Sequence, residues 1–347
     1  MRTGERSKDR TAGLYNRAVR IATSAPTRID LAGGTLDIWP LYLFHPGAQT
    51  VNAAISLRAR ASIEPCPDDR IVIHSLDTGV TVEADHWREL GDRRELRLLS
   101  LLCHFFKARG LTLTTSCESP AGAGIAGSSA LTIAVCAALA DWNRVHYEPD
   151  VLLQIAMNVE AQAIAVPTGV QDYRPALYGG IAAVELAVDG VRRVPLDVDT
   201  AALEQRLVLC YTGEPRNSGT NNWAIMKKHI DGDRVVIDCF DRIRDAAARM
   251  REALTRADWG AVGRTMADEW DTRKQLAPGV STLAIDALIG LAAEAGADGA
   301  KVCGAGGGGC LVCVRPPDRR AAIGAALAAG GARVLDFRIE RHGLTRG

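Results

Sequence analysis

A chain of 347 residues, 47% of them hydrophobic, holds enough apolar material for one large domain or two ordinary ones, and two is the expected number. Its 41 Lys and Arg balance its 41 Asp and Glu, and no block of like charge runs five residues, which argues against nucleic acid or an anionic membrane as a partner. Nine cysteines, an odd number set mostly inside apolar runs, suit the reduced, buried thiols of a cytoplasmic protein.

Residues 1–15 carry charge without an apolar stretch long enough for a signal peptide, and a disordered extension is expected there. No later segment reaches membrane-spanning length. Up to residue 125 the text reads mostly as strand: VRIATSAP, AQTVNAAISLRARASIEP, RIVIHSL, GVTVEAD and LTLTTSCES, separated by Asp, Gly and Pro. One helix interrupts them at 93–110, where Leu96, Leu99, Leu102 and Phe106 form a stripe and Gly110 is placed to cap the C-terminus.

From residue 127 the texture changes to long helices, SSALTIAVCAALADWNRV and DVLLQIAMNVEAQAIA, the second with Asp150 as its expected N-cap. GGIAAVELAV and GVRRVPLDV then read as a hairpin turning at Asp189-Gly190. A boundary around 193–205 divides a first domain, 16–198, from a second, 199–347. The second half runs as the strand RLVLCYTG, helices over roughly 219–255 and 257–275, a helix in 281–297, two strands, a helix in 318–331 and the strand ARVLDFRIE. Helices packed on an antiparallel sheet make this an α+β pattern. Cys310 and Cys313 have the spacing of a metal knuckle, but no second pair completes one, and CLVCV reads as a core strand.

Three glycine-rich stretches and two carboxylates carry the chemistry. In PAGAGIAGSSA, Gly122, Gly124 and Gly127 lead into a helix whose first turn offers unpaired N–H groups, and Ser128 and Ser129 add hydroxyls for phosphate or Mg²⁺. An ordinary loop ahead of a Ser-rich helix start fits that spacing equally well. In APTRIDLAGGTLDIWP, Arg28, Asp30 and Asp37 surround Gly33-Gly34, a mixture that suits either a solvated hairpin end or a polyhydroxylated ligand. In KVCGAGGGGCLVCV, five glycines from 304 to 309 exceed the needs of a turn and suit a backbone lying against a ligand. Glu160 sits on an apolar helix where a bare carboxylate is costly and a metal would relieve it. Asp172, in a turn, is placed to take a proton from an alcohol.

Together and in this order these stretches resemble the GHMP kinase superfamily over most of residues 20–340, with PAGAGIAGSSA matching its central signature from Pro120 to Ala130. The resemblance implies a ribosomal-protein-S5-like N-terminal domain, a ferredoxin-like C-terminal domain and a site in the cleft between them. It implies ATP phosphates on Pro120, Gly122, Ala123, Gly124, Ile125, Ala126, Gly127, Ser128 and Ser129, Mg²⁺ on Ser129 and Glu160, Asp172 as catalytic base, and Arg28 beside the transferred phosphate. RIDLAGGTLD and GVQDYRPALYGG are similar to the branch that phosphorylates sugars at the anomeric hydroxyl, including fucokinases and heptose 7-phosphate kinases. A sugar or sugar phosphate is then expected against Gly34, Thr35, Asp37, Asp172, Tyr178, Arg216, Gly306 and Gly307.

Arg216, just ahead of a helix, could hold a phosphate already on the substrate or belong to an ordinary capped turn. Ile125-Ala126 departs from the commoner Leu-Gly, and Tyr173 stands where sugar kinases often have Gln, which puts the substrate rather than the reaction in question. The partner expected is a small molecule, with a homodimer as the one assembly considered. A kinase of the galactokinase or mevalonate kinase branches, or a non-catalytic sensor on the same fold, are the alternative readings.

Overall fold

The computed structural model describes residues 20–215 and 218–347, so the expected extension at 1–15 and the Arg216 expectation lie outside the described residues. The first layer is built on two long strands. β1 (Ile21–Ala32) is paired along nearly its whole length with β2 (Gln49–Pro65), and the register shifts after Pro26, a residue without an N–H for the ladder, and again after Asp30. These shifts bend β1 so that its second half is buried throughout. β3 (Ile71–Ser75) and β4 (Val80–Ala84) follow as a hairpin, then α1 (Arg97–Phe105) and β5 (Leu111–Cys117).

α2 (Gly127–Trp142) has no charged residue before Asp141 and is buried nearly all round, which is why it lies across β1 and β2 as the core of this layer. α3 (Pro149–Ile164), the short α4 (Tyr173–Tyr178), β6 (Ile181–Ala187), β7 (Gly190–Pro195) and α5 (Thr200–Glu204) complete the first half. The second layer contains β8 (Leu207–Tyr211), α6 (Ser218–Ile230), α7 (Arg234–Thr255), α8 (Trp259–Arg273), α9 (Leu283–Glu294), β9 (Gly299–Val302), β10 (Cys310–Val314), α10 (Arg320–Ala329) and β11 (Arg333–Leu335).

The two sheets share no ladder. An eight-stranded sheet has the order β12-β1-β2-β5-β3-β4, where β12 is Thr345–Arg346, and β2 also pairs with β6 and through it β7. Only β3 and β5 are parallel in it. The other sheet, β11-β8-β10-β9, is antiparallel, and its order is the 4-1-3-2 arrangement of a ferredoxin-like sheet. The α+β architecture expected from the sequence is thus present, built on two separate sheets.

Several local expectations are corrected. The 93–110 helix is confined to Arg97–Phe105; Gly110 does not cap it but opens β5, its N–H donating to the Asp69 carbonyl at 3.2 Å. The N-cap of α3 is Glu148, with Pro149 at the first helical position, and Asp150 lies in the first turn instead. The hairpin turns at Val188-Asp189, because Gly190 already pairs with Ala187. The span 219–255 is two helices, broken at Gly232, whose φ of 86° ends α6, and restarted by Asp233, whose carboxylate caps α7. Of ARVLDFRIE only Arg333–Leu335 pairs in the second sheet; Ile339 then bridges to Ile55 and β12 joins β1, returning the chain end to the first layer. Among the described residues no helix is long and apolar enough to cross a membrane.

Candidate active site

The stretch 120–130 forms a loop that runs into α2. Gly122, Gly124 and Ala126 all have left-handed backbones, with φ of 68°, 74° and 62°. Left-handed residues alternating with others curve successive backbone N–H groups into a concavity that accepts an anion. No side chain caps the first turn of α2, so its leading amides also face that concavity. Gly127 has a different reason: a Cβ there would lie 2.5 Å from the Ser119 hydroxyl.

β1 carries the loop's partner. The Arg28 backbone N–H donates to the Ile125 carbonyl at 3.0 Å and its Nη1 to the Gly124 carbonyl at 2.9 Å, which locks the loop to the strand. The same guanidinium reaches Asp172 through Nη2 at 2.6 Å and Nε at 2.9 Å, both contacts falling on Oδ1 and leaving the other carboxylate oxygen for a ligand. Arg28 is buried, whereas the Asp172 side chain keeps 19% exposure. Burial opposes the Arg28 charge, but Asp172 and then Asp30 outweigh it and hold its pKa above the usual guanidinium value.

Glu160 is buried on α3 and accepts a hydrogen bond from the Ser128 hydroxyl at 2.6 Å, with Thr132 Oγ1 at 3.5 Å from its other oxygen. Burial pushes its carboxyl up, and the Ser128 hydrogen bond works against that shift. These groups share one cavity of about 480 Å³, lined by the glycine loop, Ser128, Ser129, Glu160, Asp172 and Tyr173 and, at another wall, by Leu96–Leu99. Of the expected phosphate-loop residues, Ile125 alone is not in the lining; it is buried under the loop.

Asp37 is buried one layer behind. Its Oδ2 accepts from the Gln171 N–H at 2.9 Å, and a Cβ on Gly169 would come within 2.1 Å of that oxygen. Burial, then the negative charge of Asp172, push its carboxyl up to about 7. Thr35 is buried nearby, and Gly34 is held by Arg273, whose Nη2 donates to its carbonyl at 2.6 Å.

The run 304–309 makes its close approaches to protein backbone. A Cβ on Gly306 would lie 2.4 Å from the Val280 carbonyl and one on Gly309 2.7 Å from that of Ala123, while the Gly307 N–H donates to Val280 at 2.8 Å. Through Gly309 this run therefore docks the second layer against the glycine loop at 120–130. Tyr178 stands apart from the cavity: its hydroxyl donates to Asp150 at 3.3 Å and the Arg193 guanidinium lies over its ring.

Sequence reasoning passed over a second charged group next to the first. Asp30, two residues beyond Arg28, is buried with Arg273 at 3.2 Å and Lys301 at 3.4 Å, and Glu269 joins both cations at 2.7 and 3.0 Å. All four are at most 1% exposed. Burial opposes the Asp30 charge, and Lys301 and Arg273 outweigh it, holding its carboxyl below the usual range. Arg273 also donates through Nη1 to the Gly304 carbonyl at 2.7 Å, so it ties both glycine turns together.

Two domain models of known proteins match the stretches that carry the glycine loop, Glu160, Asp172 and the second glycine run. Residues 95–180 match the GHMP kinases N terminal domain and residues 250–333 the GHMP kinases C terminal domain. A D-glycero-alpha-D-manno-heptose 7-phosphate kinase of Campylobacter jejuni is 28% identical over 336 residues, covering 93% of this chain and 98% of its own. A bifunctional L-fucokinase/L-fucose-1-P guanylyltransferase of Bacteroides fragilis is 27% identical over 86% of this chain and 35% of its own. In structure, a galactokinase of Lactococcus lactis superposes with a TM-score of 0.76, at 19% identity, over 95% of each chain. A D-glycero-D-manno-heptose 1-phosphate kinase of Bacteroides thetaiotaomicron also gives 0.76, at 24% identity, over 94% of this chain and 98% of its own.

Proposed function

We propose that this chain, which belongs to the GHMP kinase family and is a phosphotransferase with an alcohol as acceptor, moves the γ-phosphoryl group of ATP to the anomeric hydroxyl of a sugar phosphate, of the heptose 7-phosphate kind. The observation that carries this reading is the Arg28 and Asp172 pair, which joins the glycine loop to a partly exposed carboxylate that lines the cavity. Phosphoryl transfer asks a protein for position and charge neutralisation rather than covalent chemistry. The amides of 122–127 and the first turn of α2 hold the phosphates. Asp172 orients the acceptor hydroxyl and takes its proton as the new O–P bond forms and the bond from the γ-phosphorus to the bridging oxygen of ADP breaks. The buried Arg28, unable to shed its proton, offsets charge on the transferring group and aims Asp172.

Glu160 is a hard oxygen donor held next to two hydroxyls, Ser128 and Ser129, and its buried carboxylate has its pKa pushed up by burial, so these three fit Mg²⁺. When bound there, the ion would neutralise charge on the ATP phosphates. This reading assigns sugar hydroxyls to Asp37, buried behind Asp172, together with Gly34 and Thr35. The cytoplasm, which supplies ATP and keeps the nine free thiols reduced, is the compartment this reading implies.

The test is ATP turnover coupled to a panel of hexoses, heptoses and their phosphates. Turnover that peaks on a heptose 7-phosphate, with the product labelled at C1, is the expected result. Clear ATP binding with no phosphorylated product from any sugar would overturn it and point to a sensor. Turnover on mevalonate would assign the chain to another branch.

A further inference from the structure

A second cavity, about 930 Å³, shares Pro167 and Thr168 with the first and lies between α3, α6 and the segment 39–42 that follows Asp37. Two indoles line it: Trp39 and Trp223 leave 64% and 54% of their surfaces exposed. Aromatic surface left open in a concave site, rather than folded into a core, marks a place where a ligand supplies the missing contact. On the α3 side Gln154 donates to Asn158 at 2.9 Å, which leaves each amide with further donors and acceptors to offer.

Charge narrows the ligand. Arg174 is the one cation among the described residues of this lining; it is buried and donates through Nη1 to Val170 at 2.9 Å and through Nη2 to Val191 at 3.4 Å. Asp150 lies in the same lining and offsets it electrostatically. An anion finds no free positive charge here, and a purely apolar chain would strand the amides of Gln154 and Asn158. A neutral polyol fits both walls, its C–H faces lying on the indoles and its hydroxyls exchanging hydrogen bonds with the amides.

Position links this cavity to the reaction. Trp39 is two residues beyond Asp37, and Thr168, on the rim of both cavities, is four residues ahead of Asp172. An acceptor with its reacting hydroxyl at Asp172 reaches the second cavity across Thr168. We infer that this cavity receives the uncharged middle carbons of the acceptor, between the hydroxyl that is phosphorylated and any phosphate it carries at C7, and that Trp39 and Trp223 are specificity-determining residues for it. The inference rests on the reading that the acceptor is a sugar.

The experiment measures steady-state kinetics with D-glycero-D-manno-heptose and its 7-phosphate for the wild type, Trp39→Ala, Trp223→Ala and the double variant, beside Trp39→Phe and Trp223→Phe. Each alanine variant should raise the sugar KM about tenfold, the loss typical of a truncated aromatic anchor, with the ATP KM and kcat unchanged. The phenylalanine variants should recover most of the loss, and the sugar and its phosphate should suffer equal fold-changes, since no free charge is involved. Intrinsic fluorescence should change when heptose is added to the wild type, and that change should vanish in the double phenylalanine variant. Melting curves of all variants should match the wild type, because both rings are exposed. An unchanged sugar KM in the double alanine variant, beside normal wild-type turnover, overturns this inference and leaves the kinase reading intact. A rise in the ATP KM alone assigns the rings to the nucleotide and overturns it as well. No turnover and no fluorescence change with any sugar overturns both readings together.

Discussion

Arg28 and Asp30 lie two residues apart on one strand, and they lead to opposite kinds of ion pair. Arg28 meets a carboxylate that keeps 19% exposure and borders a cavity. Asp30 meets Arg273, Lys301 and, through them, Glu269, all sealed from solvent. A sealed cluster recovers little net stability, because removing four charges from water costs about what their attraction returns. Its value is orientation: Arg273 holds the carbonyls of Gly34 in the first layer and Gly304 in the second. The open pair leaves one carboxylate oxygen of Asp172 free of Arg28, and the closed cluster fixes the strand from which that pair projects.

If this division is right, the two groups should fail differently. Asp172→Asn should lower kcat by about 10²–10⁴, the range for losing a general base, while ATP affinity and melting temperature stay near wild type. Arg273→Met should do the reverse. Removing one member of a buried pair strands its partners, and about 3–5 kcal/mol of unfolding free energy should be lost, read by denaturant titration. What activity survives at low temperature should keep its ATP KM. A low-melting Asp172→Asn, or an Arg273→Met as stable as wild type, would erase the distinction between an open pair for chemistry and a closed one for architecture.

Arg28 and Asp172 were singled out in the sequence, though not as a pair, and of the closed cluster only Asp30 was, for a physical reason. Glu160 and Asp172 are isolated acids, one in an apolar helix where burial without a partner is costly and one in a turn, while Arg28 was noticed with Asp30 and Asp37 around Gly33-Gly34. Glu269 and Arg273 sit in ADEWDTRK, a stretch crowded with charge that looks like a solvated helix face, although the structure buries those two positions while Asp268 and Asp271 stay outside. Lys301 lies inside β9, third of its four residues, and its only signal was a lone charge in that apolar setting. The glycine run at 304–309 was legible as a close approach but not as an approach to what: Val280 meets it within the second layer, and Ala123 becomes a neighbour only through the packing of the two layers. Tyr178 shows the same limit, since α4 turns it toward Asp150 and away from the cavity. Element types were legible, and the misjudged ends, at Gly110, Asp150 and Gly190, are places where one side chain suited two adjacent roles.

The smallest expected effect tests where Asp37 belongs in this comparison. It is buried like the closed cluster, yet it has no cation of its own, and its shift to about 7 comes from burial and from Asp172, a member of the open pair. A carboxyl whose folded pKa lies above its unfolded value binds its proton more tightly in the native state, so its contribution favours folding at low pH and fades as pH rises through 7. Between pH 6 and 8 the wild type should therefore lose about 1.4 kcal/mol of stability relative to Asp37→Asn, the equivalent of one pKa unit over that window. Urea denaturation of both proteins at the two pH values measures the difference. In an Asp172→Asn background the nearby negative charge is gone, and the loss should shift to lower pH. Parallel pH profiles for wild type and Asp37→Asn would mean that Asp37 is already ionised and belongs electrostatically with the closed cluster; converging profiles tie it to Asp172 and so to the open pair.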